Sequence, residues 1–66
     1  MHLDVTDTEL WACANEVLQQ HGSAAPDFIA ERIGAMVLAQ DFEGLRVWKE
    51  IARRAADLML PPSARH

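Results

Sequence analysis

Ala25-Pro-Asp-Phe-Ile-Ala-Glu-Arg-Ile-Gly-Ala-Met-Val-Leu-Ala39 is a helix-like run charged only at Asp27, Glu31 and Arg32. A helix that is apolar around most of its circumference must be covered on more than one side. On a 3.6-residue wheel Ile29, Ala30, Ile33, Met36 and Val37 form one continuous face, while Phe28, Ala35, Leu38 and Ala39 fall on or beside the opposite one. Two apolar faces call for two sets of neighbours. Pro26 fits the first helical position, where its missing amide hydrogen costs nothing, and it disfavours helical angles at Ala25. The run therefore predicts a helix over 26–39.

Upstream, Thr6 and Glu9 have the S/T-x-x-E spacing of a capping box, Asp7 lies in the first turn, and Val5 and Leu10 occupy the staple positions. Leu10, Ala14, Val17 and Leu18 then recur at helical spacing with Trp11 beside them. Thr8, Asn15, Glu16 and Gln19 take the other side, and Gly22 supplies a residue that tolerates a left-handed helix end. A helix over 7–20 is predicted. Downstream, Asp41 is placed to cap the free amides of Glu43 or Gly44. Leu45, Trp48, Ile51, Ala52, Ala55, Leu58 and Met59 make the buried stripe of a third helix, over 42–59, which Pro61 and Pro62 end.

The expected fold is all-α, a compact three-helix bundle over 1–60, possibly dimeric, with a disordered tail over 61–66. A chain of 66 residues allows one small domain whose core supplies only a few kcal/mol of net stability. Net charge is −4, whereas nucleic-acid binders gain most of their affinity from cations on phosphates. The single Cys13 excludes an internal disulfide, and neither a signal peptide nor an apolar run of membrane-spanning length is present, so a cytoplasmic location is expected.

The candidate chemistry is sparse. Cys13 and His21 could suggest a nucleophile and a base, but eight helical positions put them about 80° and ~12 Å apart. Cys13 reads better as a small apolar residue and His21 as a cap on the last carbonyls of the first helix. His2, His21 and His66 are too scattered to hold a metal, and Asp4, Asp7 and Glu9 read as a helix start. No catalytic residue, cofactor site, metal site or small-molecule substrate is assigned, and an enzyme is not expected. Arg46, Lys49, Arg53 and Arg54 form a cationic stripe that could bind an anion. Glu50 lies four residues from Arg46 and Arg54, and Asp57 four from Arg53, which are the spacings of solvated ion pairs. Trp11 and Trp48 are expected in the core, and Gly34 and Gly44 are expected where backbones approach closely.

Glu9-Leu-Trp-Ala-Cys-Ala14, His21-Gly22 with Ala25-Pro-Asp-Phe-Ile-Ala-Glu-Arg-Ile-Gly34, Asp41 to Gly44, and Trp48 with Ile51-Ala-Arg53 together resemble a family of short proteobacterial helical proteins of unknown function, over about Thr6 to Leu58. The resemblance implies a stand-alone helical protein and carries no catalytic residue. Two functions follow as expectations. The first is a non-enzymatic module that self-associates or docks a protein partner through the second face of helix two, at Phe28, Ala35, Leu38 and Ala39. The alternative is a small helix-turn-helix-like transcriptional or nucleic-acid accessory protein that uses the basic stripe of helix three.

Overall fold

The computed structural model describes residues 6–60, which are all-α: α1 (Asp7–His21), a 3₁₀ turn (Gly22–Ala24), α2 (Ala25–Leu38) and α3 (Phe42–Met59). The Val5 staple contact, the stop at Pro61 and Pro62 and the expected tail over 61–66 lie outside the described residues, as do His2, Asp4 and His66.

Helices α1 and α3 start where a side chain satisfies free amides, whereas α2 follows Ala24 with no side-chain cap. Thr6 Oγ1 accepts from the Glu9 amide at 3.2 Å, and Glu9 Oε1 accepts from the Thr6 amide at 3.1 Å, completing the capping box. The bond from the Thr6 amide holds the Glu9 carboxyl below its ordinary pKa. Asp41 Oδ1 accepts from the Gly44 amide at 2.9 Å and caps α3.

The predicted three-helix bundle is not what these segments build. Gly22 donates the last α-type bond of α1 to the Leu18 carbonyl and leaves the helix at φ 55°, and Pro26 brings no amide hydrogen to the first turn of α2. Between them Gly22–Ala24 stays helical as a 3₁₀ turn, so the chain bends without reversing. Ala25 takes helical angles (φ −56°, ψ −43°) despite the proline after it, and it is completely buried. The result is two helices, one bent over 7–38 and one over 42–59. Both arms of the bent helix pack on α3 more extensively than on each other.

A second turn does reverse the chain. The Asp41 amide donates to the Met36 carbonyl at 2.9 Å and the Gln40 amide to the Val37 carbonyl at 3.1 Å, the paired bonds of a Schellman helix end. Gln40 occupies its left-handed position at φ 56°, where glycine is more usual. Asp41 thus closes α2 with its amide and opens α3 with its carboxylate.

The core is the strip where both arms meet α3: Leu10, Ala14 and Val17 from α1, Ala25 and Ile29 from α2, Ile51 and Ala55 from α3. Among the described residues no large side chain is fully buried. With α3 covering one side of α2 only, the face assigned to its core is split. Ile29 is buried, Ile33 and Met36 are half-buried, and Ala30 and Val37 are exposed.

The two helical glycines differ. A Cβ on Gly44 would stand 2.7 Å from Met36 Sδ and 2.8 Å from the Asp41 carboxylate, so this glycine lets the capping side chain and α2 approach α3. Gly34 has nothing within 4 Å, so the expected close approach is absent there. Glycine inside a helix costs ~1 kcal/mol relative to alanine. Gly34→Ala is therefore expected to stabilise the protein by up to ~1 kcal/mol. Gly44→Ala is expected to destabilise it, since the methyl displaces a cap of similar worth, ~1 kcal/mol. Thermal melts of the two variants check this; two shifts of the same sign would contradict it.

Candidate interaction surface

The bend and the reversal leave two apolar regions on the α2–α3 side of the molecule. At the reversal Leu38 is 88% exposed and Phe42 69%, with Val37 half-exposed and Ala35 and Ala39 open to solvent. Phe42 lies nine residues before buried Ile51, and nine helical steps are about 900°, which puts the two on opposite faces of α3. Leu38 ends α2 with most of its side chain open to solvent.

The other region is a groove of about 290 Å³ between the first half of α2 and the second half of α3, lined by Pro26, Ile29, Ala30, Ile33, Ala52, Ala55, Ala56 and Met59. No residue of α1 lines it. Small side chains on both banks (Ala30, Ala52, Ala56) make it wide, and Met59 at its end is 46% exposed.

Three of the four residues predicted to form the docking face, Ala35, Leu38 and Ala39, are exposed around the end of α2, whereas Phe28 is elsewhere. It is half-buried at the bend, its ring stacked on His21 at 3.9 Å and meeting Trp48 edge-on at 5.9 Å. Phe28 opens α2 on the side that the end of α1 covers, which a wheel of α2 alone does not show. His21 spends its ring on that stack, in place of the predicted cap on helix carbonyls, and Cys13 is exposed on α1. Sequence reasoning missed Val37 and Phe42. The signal was available for Phe42, in its register against Ile51.

The cationic stripe is largely engaged. Arg46 pairs with Glu43 at 3.3 Å, Arg53 with Glu50 at 3.1 Å, and Arg54 with Glu50 at 2.8 Å. The predicted pairings of Arg46 with Glu50 and of Arg53 with Asp57 are replaced by these. Arg54 also reaches across to the Asp7 carboxylate at the start of α1, and its guanidinium lies 5.6 Å from the ring centre of Trp11. Hydrogen bonding from Arg54 holds the Glu50 carboxyl below its ordinary pKa of 4.5, and the bonds that Arg54 donates to Asp7 and Glu50 raise its own pKa further. Arg54 is thus a clasp between helices, its side chain only 15% exposed. Lys49 makes no ion pair among the described residues. Arg32 lies 5.7 Å over the Trp48 ring, which is half-buried, while Trp11, expected in the core, is 37% exposed beneath Arg54.

Among the described residues no group of three or more His, Cys, Asp or Glu side chains could hold a metal ion. No helix among them is long and apolar enough to cross a membrane.

These features define a small all-α protein whose most distinctive surface is an uncovered apolar one. The chain belongs to a family of unknown function, DUF6961, which matches residues 6–60. No curated protein and no solved structure matches it.

Proposed function

We propose that the protein is a non-enzymatic interaction module that docks a protein, itself or another, through the apolar surface of α2 and the start of α3. The observation that carries this reading is the exposure of Leu38 and Phe42, two large apolar side chains at the reversal. Burying a leucine or phenylalanine side chain is worth roughly 1.5–3 kcal/mol. Ala35, Val37 and Ala39 extend the surface along α2. A cytoplasmic location belongs to the same reading and is supported by the exposed free thiol of Cys13.

The nucleic-acid reading has less support, because Arg46, Arg53 and Arg54 are already paired with carboxylates. A photo-crosslinking amino acid at position 38, used in the native cell, tests the proposal. A defined protein adduct is expected, lost when Phe42→Glu is added. Since both side chains face solvent, neither change should alter the circular dichroism spectrum. Absence of any adduct, or one indifferent to Phe42→Glu, would refute the reading.

A further inference from the structure

We infer that the surface ending in Leu38 and Phe42 is covered by a basic amphipathic helix of another protein, laid along the outer face of α2. This rests on the interaction-module reading and adds to it the chemistry of the partner.

The first ground is charge. Asp27, Glu31, Gly34 and Ala35 lie within about 60° of Leu38 on the α2 wheel, and Leu38 lies about 180° from buried Ile29. All five residues of this outer face are exposed. The face divides along its length, with two carboxylates on its first half and small or apolar residues on its second. Neither carboxylate has an ion-pair partner among the described residues. Arg32 sits about 120° round α2 from Leu38, over the Trp48 ring, and Arg46 is paired with Glu43. Lys49, nearly opposite Ile51 on α3, pairs with neither carboxylate.

The second ground is Gly34. Glycine weakens a helix interior relative to alanine, yet no atom of the chain comes within 4 Å of where its Cβ would stand. Packing within the chain does not call for it. It lies between the carboxylates and the apolar end, where it lets the backbone of a covering helix approach. A helix is the cover that suits this surface, because its backbone is bonded internally and the described residues offer no sheet edge to pair with. From Asp27 to Leu38 is about 16 Å, or three turns. The covering helix carries large apolar residues against Leu38 and Phe42, and lysine or arginine two to three turns further along, against Glu31 and Asp27.

A second copy does not meet these terms. Two such faces laid in parallel set Asp27 and Glu31 against the same pair, and laid antiparallel at full overlap they put Leu38 and Ala35 over the carboxylates. Charge at the edge of an interface selects the partner and its register, while the apolar end supplies most of the affinity.

The photo-crosslink from position 38 in the native cell supplies the test. The adduct is digested and the attached segment sequenced, and that segment, made as a labelled peptide, is titrated with the full chain. A helical segment of a different protein with an excess of lysine and arginine is expected. At low salt Glu31→Lys and Asp27→Asn should each weaken binding several-fold, with the loss shrinking at high salt. A peptide with its cations changed to glutamate should bind Glu31→Lys more tightly than it binds the parent. Gly34→Gln should weaken binding while leaving the melting temperature no lower than the parent's, since glutamine is the better helix former. An attached segment that is acidic, or that belongs to this chain, overturns the inference, as does a basic one indifferent to Glu31→Lys. In those cases an adduct has still formed and the module reading stands. With no adduct, both fall.

Discussion

Ile51→Ala is expected to unfold most of the protein at room temperature. Ile51 is 4% exposed and sits on α3 in the buried cluster that joins Leu10, Ala14 and Val17 of α1 to Ala25 and Ile29 of α2. Truncating a buried isoleucine to alanine costs roughly 2–5 kcal/mol, made up of lost transfer energy and the cavity left behind. A single core in a chain this short rarely supplies more than ~3–5 kcal/mol in total. Three of the other six residues of the cluster are alanine, Ala14, Ala25 and Ala55, which have little side chain with which to fill the cavity. Far-UV circular dichroism should show a large fall in helicity and a broad melt without a clear folded baseline. Leu38→Ala is the control: that side chain is 88% exposed and its loss should move stability by no more than ~0.5 kcal/mol. A cooperative melt for Ile51→Ala close to that of the parent would contradict the assignment of the core.

The second large effect is the loss of the Arg54 clasp. Arg54 bonds both Asp7 at the start of α1 and Glu50 one turn back on α3, with Trp11 beneath it. Arg54→Met keeps much of the apolar stem and removes the charge, so α1 loses its only cross-helix ion pair among the described residues. A marked drop in melting temperature is expected at neutral pH, with Trp11 more accessible to quenchers. The pH dependence identifies the cause. Glu50 has its pKa lowered in the folded protein, so its contribution is fully present above the unfolded value near 4.5 and is lost as pH falls through the lower folded value. Glu9, held by the Thr6 amide, has the same sign. The raised pKa of Arg54 works in the opposite direction, and that contribution stays complete throughout the acid range. The parent should therefore destabilise as pH drops below about 4.5. The gap between parent and Arg54→Met should narrow over the same interval. A gap that stays constant into acid would assign the effect to packing over Trp11.

The helix boundaries were legible because they are made by local chemistry. Thr6 with Glu9, Gly22, Pro26 and Asp41 each act within a few residues of themselves, and a linear reading finds them. The bend at Gly22–Ala24 was not legible, since a glycine followed by a proline serves equally well for a reversal or for a kink. Which one forms depends on whether α3 offers each arm a separate place to pack, and that is a tertiary matter. The two faces of α2 were separated correctly at Ile29 and Leu38 and wrongly at Phe28 and Val37. Phe28 is reached by His21 across the bend, and Val37 stays half-exposed near the end of α2. Arg54 shows the limit most clearly. Its helical spacing pointed to Glu50, which it does bind, but its other partner is 47 residues away and leaves no mark on periodicity.

That distance also sets an order of assembly. The α2–α3 pair closes across the short reversal at 39–41, while α1 must return over 47 residues to reach Arg54. Loop-closure entropy rises by about 0.6 kcal/mol for each doubling of the span, so roughly four doublings put α1 about 2 kcal/mol behind. Contacts that are near in sequence form first. The hairpin from Ala25 to Met59 is therefore expected to form first, templated by Asp41 and the left-handed Gln40. Docking of α1 is then expected to follow, with the Asp7–Arg54 pair as the latch that fastens it.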